Sequence, residues 1–466
     1  MRGMAGKNII KEAVPMRKLP MNERRTTFKE VALGYNLEEA LKEASRCLQC
    51  TDPPCVKACP LHIDVPGFIK LLREKKFEEA LNKIKEVNDF PAITGRVCPQ
   101  ELLCQAACVM GKIGEPINIG RLERFLGDLE ISRGIRIPSL PKSREKKVAI
   151  IGSGPAGLMA AARLRKIGYD VAIFEALHKP GGVMVYGIPE FRLPRRVLEA
   201  YIDYVKKLGV EIKVDHVVGR TVTIGELLKN YDAILIATGA GTPKFLKVPG
   251  ESLNGIYSAN EFLIRINLMK AYKFPDYDTP IKVGRKVVVI GGGNTAMDVA
   301  RIALRLGADV TVVYRRTERE MPARREEVEN AKEEGVKFML LTQPIEFLGD
   351  ERGWVRRVKC IKMRLGEPDE SGRRRPIPIP GSEFEIEADT VVIAIGAEVN
   401  PLIQMTTPGL KTDRKGRIIV DSEGRTSLRR VYAAGDVTTG EGTVIEALME
   451  ALKAVQTIDK DLSEKP

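Results

Sequence analysis

The sequence predicts an α/β protein in which two strand–turn–helix–strand units of one design lie beyond a helical, cysteine-bearing segment. Three observations lead there. A glycine-rich turn after a short apolar strand occurs twice, at Gly152–Gly157 and at Gly291–Ala296. Seven of the eight cysteines lie between Cys47 and Cys108. A Pro-, Ser- and Lys-rich stretch from Ile135 to Lys147 separates the cysteines from the first glycine turn, as a linker would.

Length and composition bound the rest. The 466 residues suffice for about three domains. With 44% hydrophobic and 29% charged residues, disordered and collagen-like classes are excluded. The longest apolar run, Val148–Ala162, holds three glycines and falls short of the ~20 residues a membrane span needs. The basic N-terminus has no apolar signal core, so a soluble cytoplasmic protein with no membrane association is expected. The net charge of +13 is read mainly as a solvated basic surface. Aromatics make up only 5% and do not interleave with basic residues, which argues against nucleic acid.

Residues 1–35 read as an irregular basic lead-in. A helix is expected from Asn36, an N-cap with Glu39 three residues on, through Leu37, Leu41 and Ala44. Residues 66–88 carry Phe68, Leu71, Leu72, Phe77, Leu81 and Ile84 near the helical period and read as one helix. Around them the cysteines are spaced Cys47-x2-Cys50-x4-Cys55-x3-Cys59-Pro60 and Cys98-x5-Cys104-x3-Cys108. Thiolates this close hold iron–sulfur clusters, and a Cys before Pro can serve a different cluster from its neighbours. Zinc is the rival reading, but zinc ribbons use two paired knuckles, and seven cysteines divide badly into tetrahedral sets. Residues 1–145 are thus expected to form a helical domain around metal.

The first unit runs Val148–Ile151, Gly152-Ser153-Gly154-Pro155-Ala156-Gly157, a helix through Arg165, and a second strand, Asp170–Phe174, ending at Glu175. Gly152 permits the tight turn, Gly154 lets backbone approach a pyrophosphate, and Gly157 packs the helix on the strand. Glu175 stands where a carboxylate accepts from ribose hydroxyls and would repel a 2′-phosphate, which suits FAD or NAD. The second unit runs Lys286–Ile290, Gly291-Gly-Gly293-Asn294-Thr295-Ala296, a helix to Leu306, and Asp309–Tyr314 with Arg315-Arg316 directly after it. Two guanidiniums in place of a carboxylate can pair with a 2′-phosphate, so this unit reads as an NADP(H) site.

Two further apolar strands, Ile234–Gly239 and Val391–Gly396, end in small residues that leave room for a cofactor, and both are assigned to the first site. Near the end, Val431-Tyr-Ala-Ala-Gly435-Asp436 precedes a helix expected over Thr443–Val455. These features resemble two-dinucleotide flavoproteins of the glutathione-reductase type. That resemblance makes Asp436 a binder of the flavin's sugar-alcohol chain, aims the positive end of the Thr443 helix at the flavin ring, and brings the Pro180-Gly-Gly182 turn close to it. It implies an FAD domain at 146–280 plus 390–466 and an NADP(H) domain at 281–389. Relatives that use a CxxC disulfide beside the flavin have no counterpart here, since Cys360 alone lies past residue 108 and reads as a packed thiol. No side chain is assigned as a catalytic acid or base, because the cofactors carry the chemistry.

The whole pattern resembles the small (β) subunit of NADPH-dependent glutamate synthase. It equally resembles the large subunit of NADH-dependent ferredoxin:NADP oxidoreductase and the α subunit of sulfide dehydrogenase. The cysteine segment is similar to that of dihydropyrimidine dehydrogenase, where two [4Fe-4S] clusters interleave their ligands. Carried over by motif, one cluster takes Cys47, Cys50, Cys55 and Cys108, and the other takes Cys59, Cys98 and Cys104. The latter's fourth ligand, a Gln in dihydropyrimidine dehydrogenase, corresponds to Glu123 after Pro116-Ile-Asn-Ile-Gly, with Glu101 as the competing choice. A carboxylate is a harder ligand than thiolate and should shift that cluster's potential. The chain begins Met1-Arg2, has no cysteine before Cys47 for glutamine hydrolysis, and leaves no domain for FMN and 2-oxoglutarate. It is therefore expected to be an electron-input module. The partners implied are a glutamate synthase large subunit or a small NAD-binding flavoprotein in an electron-bifurcating complex, with acidic ferredoxin suiting the basic surface; single-gene forms imply a homo-oligomer. A zinc-stabilised NADP-binding regulatory protein is the reading from another class.

Overall fold

The computed structural model describes residues 10–464. The first nine residues of the expected basic lead-in lie outside them. The stretch from Ile10 to Tyr35 is largely irregular, with one short turn of helix at Met21–Arg24. It runs over the second glycine unit as a strap. Lys18 Nζ donates to Asn330 at 2.7 Å, Arg24 pairs with Glu333 at 2.8 Å, and Val31 N–H donates to the Phe191 carbonyl at 3.0 Å. Phe28 stacks on Tyr272 with ring centroids 4.1 Å apart.

The first long helix, Leu37–Ser45, begins where expected. Asn36 accepts from Glu39 N–H at 2.9 Å, and Glu39 returns the bond to Asn36 N–H at 2.7 Å. Such a capping box contributes about 1 kcal/mol. The single helix read over 66–88 is instead two, Val65–Arg73 and Phe77–Lys85. Lys75 takes the left-handed conformation (φ 60), while Lys76 N–H bonds the Leu71 carbonyl and Lys75 N–H the Leu72 carbonyl. This is a Schellman ending with lysine where glycine usually stands, so no residue type there signals a stop. Two later helices, Pro91–Val97 and Ile119–Arg133, cross at backbone contact. A Cβ on Gly95 would lie 2.6 Å from Arg124 N, and one on Gly127 would strike Ala92 N.

Beyond the linker lie two parallel five-stranded sheets. The first has the order Val431–Ala433, Ala233–Ile236, Lys147–Ile151, Asp170–Phe174, Glu211–Lys213. The second has the order Ile256–Ser258, Thr390–Ile393, Lys286–Ile290, Asp309–Val313, Lys337–Met339. The strand at Thr390–Ile393, assigned from sequence to the first site, pairs in parallel with Lys286–Ile290 and belongs to the second. It occupies the position in its sheet that Ala233–Ile236 occupies in the other. Each first glycine packs on the carbonyl just past that strand: a Gly152 Cβ would meet Ala237 O at 2.5 Å, and a Gly291 Cβ would strike Ala394 O. The two similar endings are repeats of each other, not two walls of one site. Sheet membership accordingly changes near 243 and 397, where Thr242–Pro243 pairs antiparallel with Ala397–Glu398, rather than at the expected 281 and 389.

An antiparallel meander extends the second unit: Thr342–Gly349, Val355–Pro368 and Arg374–Pro378, with Phe384–Glu387 on the middle strand. Cys360 is buried within it. The last helix, Val444–Ser463, outruns its expected end at Val455. No helix among the described residues is long and apolar enough to cross a membrane.

Candidate functional site

A single cleft of about 1360 Å³ runs between the carboxyl ends of the two sheets. Single-ligand sites occupy roughly 300–1,000 Å³, so the volume suits more than one dinucleotide. Gly152, Ser153, Gly154, Pro155, Ala156, Glu175, Gly182, Gly239, Gly435, Asp436 and Thr443 line one part. Gly291, Gly293, Asn294, Thr295, Arg315, Arg316 and Gly396 line the other. Two of the sequence-derived residues stay behind the walls. Gly157 is needed because a Cβ would strike the Gly152 carbonyl, and Ala296 is fully buried against the corresponding turn.

In the first part, Gly154 and Gly239 face open space, where a side chain would stand in a ligand's path. Gly182 (φ 54) crosses so closely that a Cβ would lie 2.7 Å from Gly154 Cα. Ser153 is wholly buried; its hydroxyl donates to Glu175 and accepts from Gly181 N–H at 2.9 Å. Glu175 also accepts from Ser153 N–H at 3.0 Å and Leu177 N–H at 2.8 Å. The carboxylate is held by the glycine turn itself, with a lone pair left on Oε1 for a ribose hydroxyl. These residues fit an FAD or NAD adenosine.

At the other end, burial and the neighbouring Glu450, Glu446 and Glu441 push Asp436 up to about 6. Thr443 caps its helix, but Glu446 accepts from Thr443 N–H at 2.7 Å and occupies the helix start. The bare positive helix end expected from sequence is therefore partly neutralised by a carboxylate. Tyr186, beside Asp436 and Glu175, is raised by burial to about 12.

The second part has a different chemistry. Gly292 is required by Tyr314, whose ring lies 2.6 Å from where a Cβ would be. The two arginines after it are not alike. Arg315 is exposed and has no hydrogen-bond or salt-bridge partner among the described residues; partial desolvation against the cleft wall, with Arg316 and Arg373 nearby, lowers its pKa. Arg316 is 4% exposed; Nη2 pairs with Asp369 at 2.6 Å and Nε donates to the Arg374 carbonyl at 2.7 Å. Arg373 also reaches the cleft. Where the two units meet, Arg192 holds Asp298 through Nη1, 2.7 and 2.9 Å from the two carboxylate oxygens, and both line the cleft. Burial pushes Asp298 up to about 6 despite that partner. Sequence reasoning missed this pair and Arg373, because the contacts join residues far apart in the chain.

The cysteines form two groups. Cys50 and Cys108 lie close enough to Cys47 and Cys55 to act on both; burial raises Cys47, and raises Cys55 to about 12. Cys59, Cys98 and Cys104 surround Glu123, and burial raises all three thiols. Glu123 is 6% exposed. Its Oε1 accepts from Asn88 at 2.8 Å and Thr94 at 2.7 Å, leaving Oε2 without a hydrogen bond among the described residues. Burial lifts it to about 7. Glu101, the competing choice, pairs with Arg324 at 3.2 Å. Each group brings four candidate ligands into one neighbourhood, and bonds such as those on Oε1 are what would orient a ligating carboxylate. Among the described residues no three His, Cys, Asp or Glu side chains are gathered closely enough for one metal ion. Val97 and Pro99, flanking Cys98, line the cleft, whereas Cys47, Cys50 and Cys108 are only half-buried.

Comparison with known proteins sets this arrangement among its relatives. The pyridine nucleotide-disulphide oxidoreductase family matches residues 146–457. The dihydropyrimidine dehydrogenase domain II, 4Fe-4S cluster family matches residues 24–135. The glutamate synthase [NADPH] small chain of Halomonas elongata is 38% identical over 95% of this chain and 94% of its own. The chain belongs to that small-chain family. It is an oxidoreductase with an N-terminal 4Fe-4S domain. Other family members carry different names: the NADPH-Fe(3+) oxidoreductase subunit beta of Geobacter sulfurreducens is 39% identical over 96% of this chain and 69% of its own. Among solved structures, FprA of Mycobacterium tuberculosis in complex with NADPH superposes with a TM-score of 0.59, at 25% identity over 68% of this chain and 85% of its own.

Proposed function

We propose that this chain is the electron-input subunit of an NADPH-dependent complex, with FAD in the first unit, NADPH in the second and [4Fe-4S] clusters on the two cysteine groups. The bound cofactors would supply hydride transfer from NADPH to FAD and single-electron steps onward. The chain's own residues supply position. Glu175 and the Gly152–Gly154 turn hold the FAD adenosine, Asp436 its sugar-alcohol chain, and Arg315 the 2′-phosphate of NADPH. Cys47, Cys50, Cys55 and Cys108 would ligate one cluster, and Cys59, Cys98, Cys104 and Glu123 the other.

The observation that carries the reading is that Val97 and Pro99, on either side of Cys98, line the cleft, while Cys47, Cys50 and Cys108 are half-buried. That order runs from the cleft to the surface, and on this reading a partner subunit would take electrons at the Cys47 group. The partner favoured by the Halomonas elongata relative's name is a glutamate synthase large subunit. Mass analysis of the complex purified natively and anaerobically tests this. A large FMN-bearing partner with an N-terminal cysteine nucleophile supports the reading. A small NAD-binding flavoprotein partner would replace it with ferredoxin-linked transhydrogenation, and colourless iron-free protein would overturn it.

A further inference from the structure

The turn between the meander strands Val355–Pro368 and Arg374–Pro378 arches over the second unit at the end of its Asp309–Val313 strand. Asp369 organises that turn. It accepts from Ser371 N–H at 2.9 Å and Arg373 N–H at 3.3 Å, its own N–H donates to the Arg373 carbonyl at 2.7 Å, and Gly372 (φ 75) completes it. The same Asp369 carries the ion pair to Arg316, and the Arg374 carbonyl takes the second Arg316 bond. Arg316 therefore uses its donors to fix the turn. The outcome is to bring Arg373 to the cleft wall beside Arg315.

Arg373 uses only Nε, which donates to Ser371 Oγ at 2.9 Å, and both terminal nitrogens are unengaged among the described residues. Arg315 likewise has no hydrogen-bond or salt-bridge partner among them. Two guanidiniums thus share one corner of the cleft with a third behind them, and a single carboxylate, Asp369, is bonded to the set. Like charges held together without a counter-ion cost free energy unless a ligand supplies the opposite charge. A phosphate monoester does so with two charges and three acceptor oxygens, and paired arginines match its geometry.

We propose that Arg315 and Arg373 form the clamp on the nucleotide's 2′-phosphate, and that Arg316 is a positioning residue that holds the Arg373 turn in place. This rests on the NADPH reading and assigns its selectivity to a segment outside the glycine-turn unit, where a pattern search would not look.

The test uses the holoenzyme with adenosine 2′,5′-bisphosphate and 5′-AMP as probes, binding being measured calorimetrically in wild type, Arg315→Ala, Arg373→Ala, Arg373→Lys and Arg316→Ala. The flavin spectrum reports that each variant is folded. Arg373→Ala is expected to weaken the bisphosphate about ten- to a hundredfold, as for loss of a charge-assisted bond, and to leave 5′-AMP unchanged. Arg373→Lys should recover part of that loss. Arg316→Ala should also weaken the bisphosphate, and in the Arg316→Ala background a further Arg373→Ala change should add little, because the turn is already loose. Wild-type preference retained in Arg373→Ala would overturn the clamp while leaving the NADPH reading intact. A wild type that binds both probes equally would overturn the NADPH reading itself.

Discussion

The two glycine-turn units are built to the same plan, and a coupled pair of positions gives their cleft walls different chemistry. Gly152 N–H bonds the Phe174 carbonyl and Gly291 N–H the Val313 carbonyl; Glu175 N–H bonds the Lys213 carbonyl and Tyr314 N–H that of Met339. Glu175 and Tyr314 are therefore equivalent, as are Ser153 and Gly292. In the first unit the pair is a carboxylate with a hydroxyl bonded to it. In the second it is a ring with a glycine beneath it. The ring fills the place where a carboxylate would meet a ribose, and the first free guanidinium follows one residue on, at Arg315. On the proposed reading, the nucleotide preference is encoded by two positions acting together, one in the turn and one at the strand end.

The largest effect that would test this equivalence is at the third glycine position of each turn. Gly157→Ala puts a methyl group into the Gly152 carbonyl, a backbone atom that cannot swing aside. The turn must shift, and near-complete loss of bound FAD is expected, read as flavin absorbance per chain. The second unit tolerates alanine there already, so full FAD retention in Gly157→Ala would break the comparison.

A smaller effect is expected at a buried ion network that the second unit closes within itself, whereas Arg163 and Lys166 of the first unit's helix pair with the buried Asp89 of the N-terminal segment. Glu334 is fully buried and takes four hydrogen bonds, from Arg301 at 2.9 and 2.7 Å and from Arg305 at 2.7 and 3.1 Å. Removing one partner of such a buried network costs about 3–5 kcal/mol. Glu334→Gln should therefore lower the melting temperature while leaving FAD bound. Burial alone would raise Glu334, but the two arginines hold it down at about 2. Its stabilisation is therefore present above its unfolded value near 4.5 and is lost as pH falls through about 2. The gap in melting temperature between wild type and Glu334→Gln should stay constant from about pH 8 to about pH 5 and close at lower pH. A gap that instead widened in acid would refute the assignment.

The range of each interaction decides what is legible in the sequence. The two units, the linker and the Asn36 cap are written in neighbouring residues, through short periodic patterns and turn chemistry. The break at Lys75 is hidden because a lysine takes a glycine's conformation. The sheet assignment of Thr390–Ile393 is hidden because Val391–Gly396 and Ile234–Gly239 look alike, and only strand pairing tells which sheet each joins. Arg315 and Arg316 are adjacent in sequence and indistinguishable there. The residue that separates them is Asp369, more than fifty positions on, which no local pattern reveals.

That separation is measurable. Arg315→Ala should cost NADPH about ten- to a hundredfold in affinity and leave NADH nearly unchanged, the loss expected for one charge-assisted bond. Glu175→Gln, at the equivalent end of the first unit, should weaken FAD without altering the choice between NADPH and NADH. The ratio of kcat/KM for the two nicotinamide nucleotides reads both outcomes. Equal losses of NADPH and NADH in Arg315→Ala would contradict a 2′-phosphate contact.

The smallest effect is expected at the third turn position of the second unit. Ala296 is fully buried, lies in the first turn of the Asn294–Arg305 helix and does not line the cleft. Ala296→Gly restores the residue that the first unit carries. Glycine within a helix costs about 0.5–1 kcal/mol through backbone freedom. The lost methyl removes roughly another 0.8 kcal/mol of burial. Neither term touches the nucleotide, so NADPH affinity should stay within about twofold, well under the roughly tenfold that about 1.4 kcal/mol would produce if it fell on binding. Melting temperature and NADPH titration of the same variant separate the two. A large loss of NADPH with little loss of stability would mean that the alanine shapes the turn for its ligand, and that the two units differ at a third position as well as at the coupled pair.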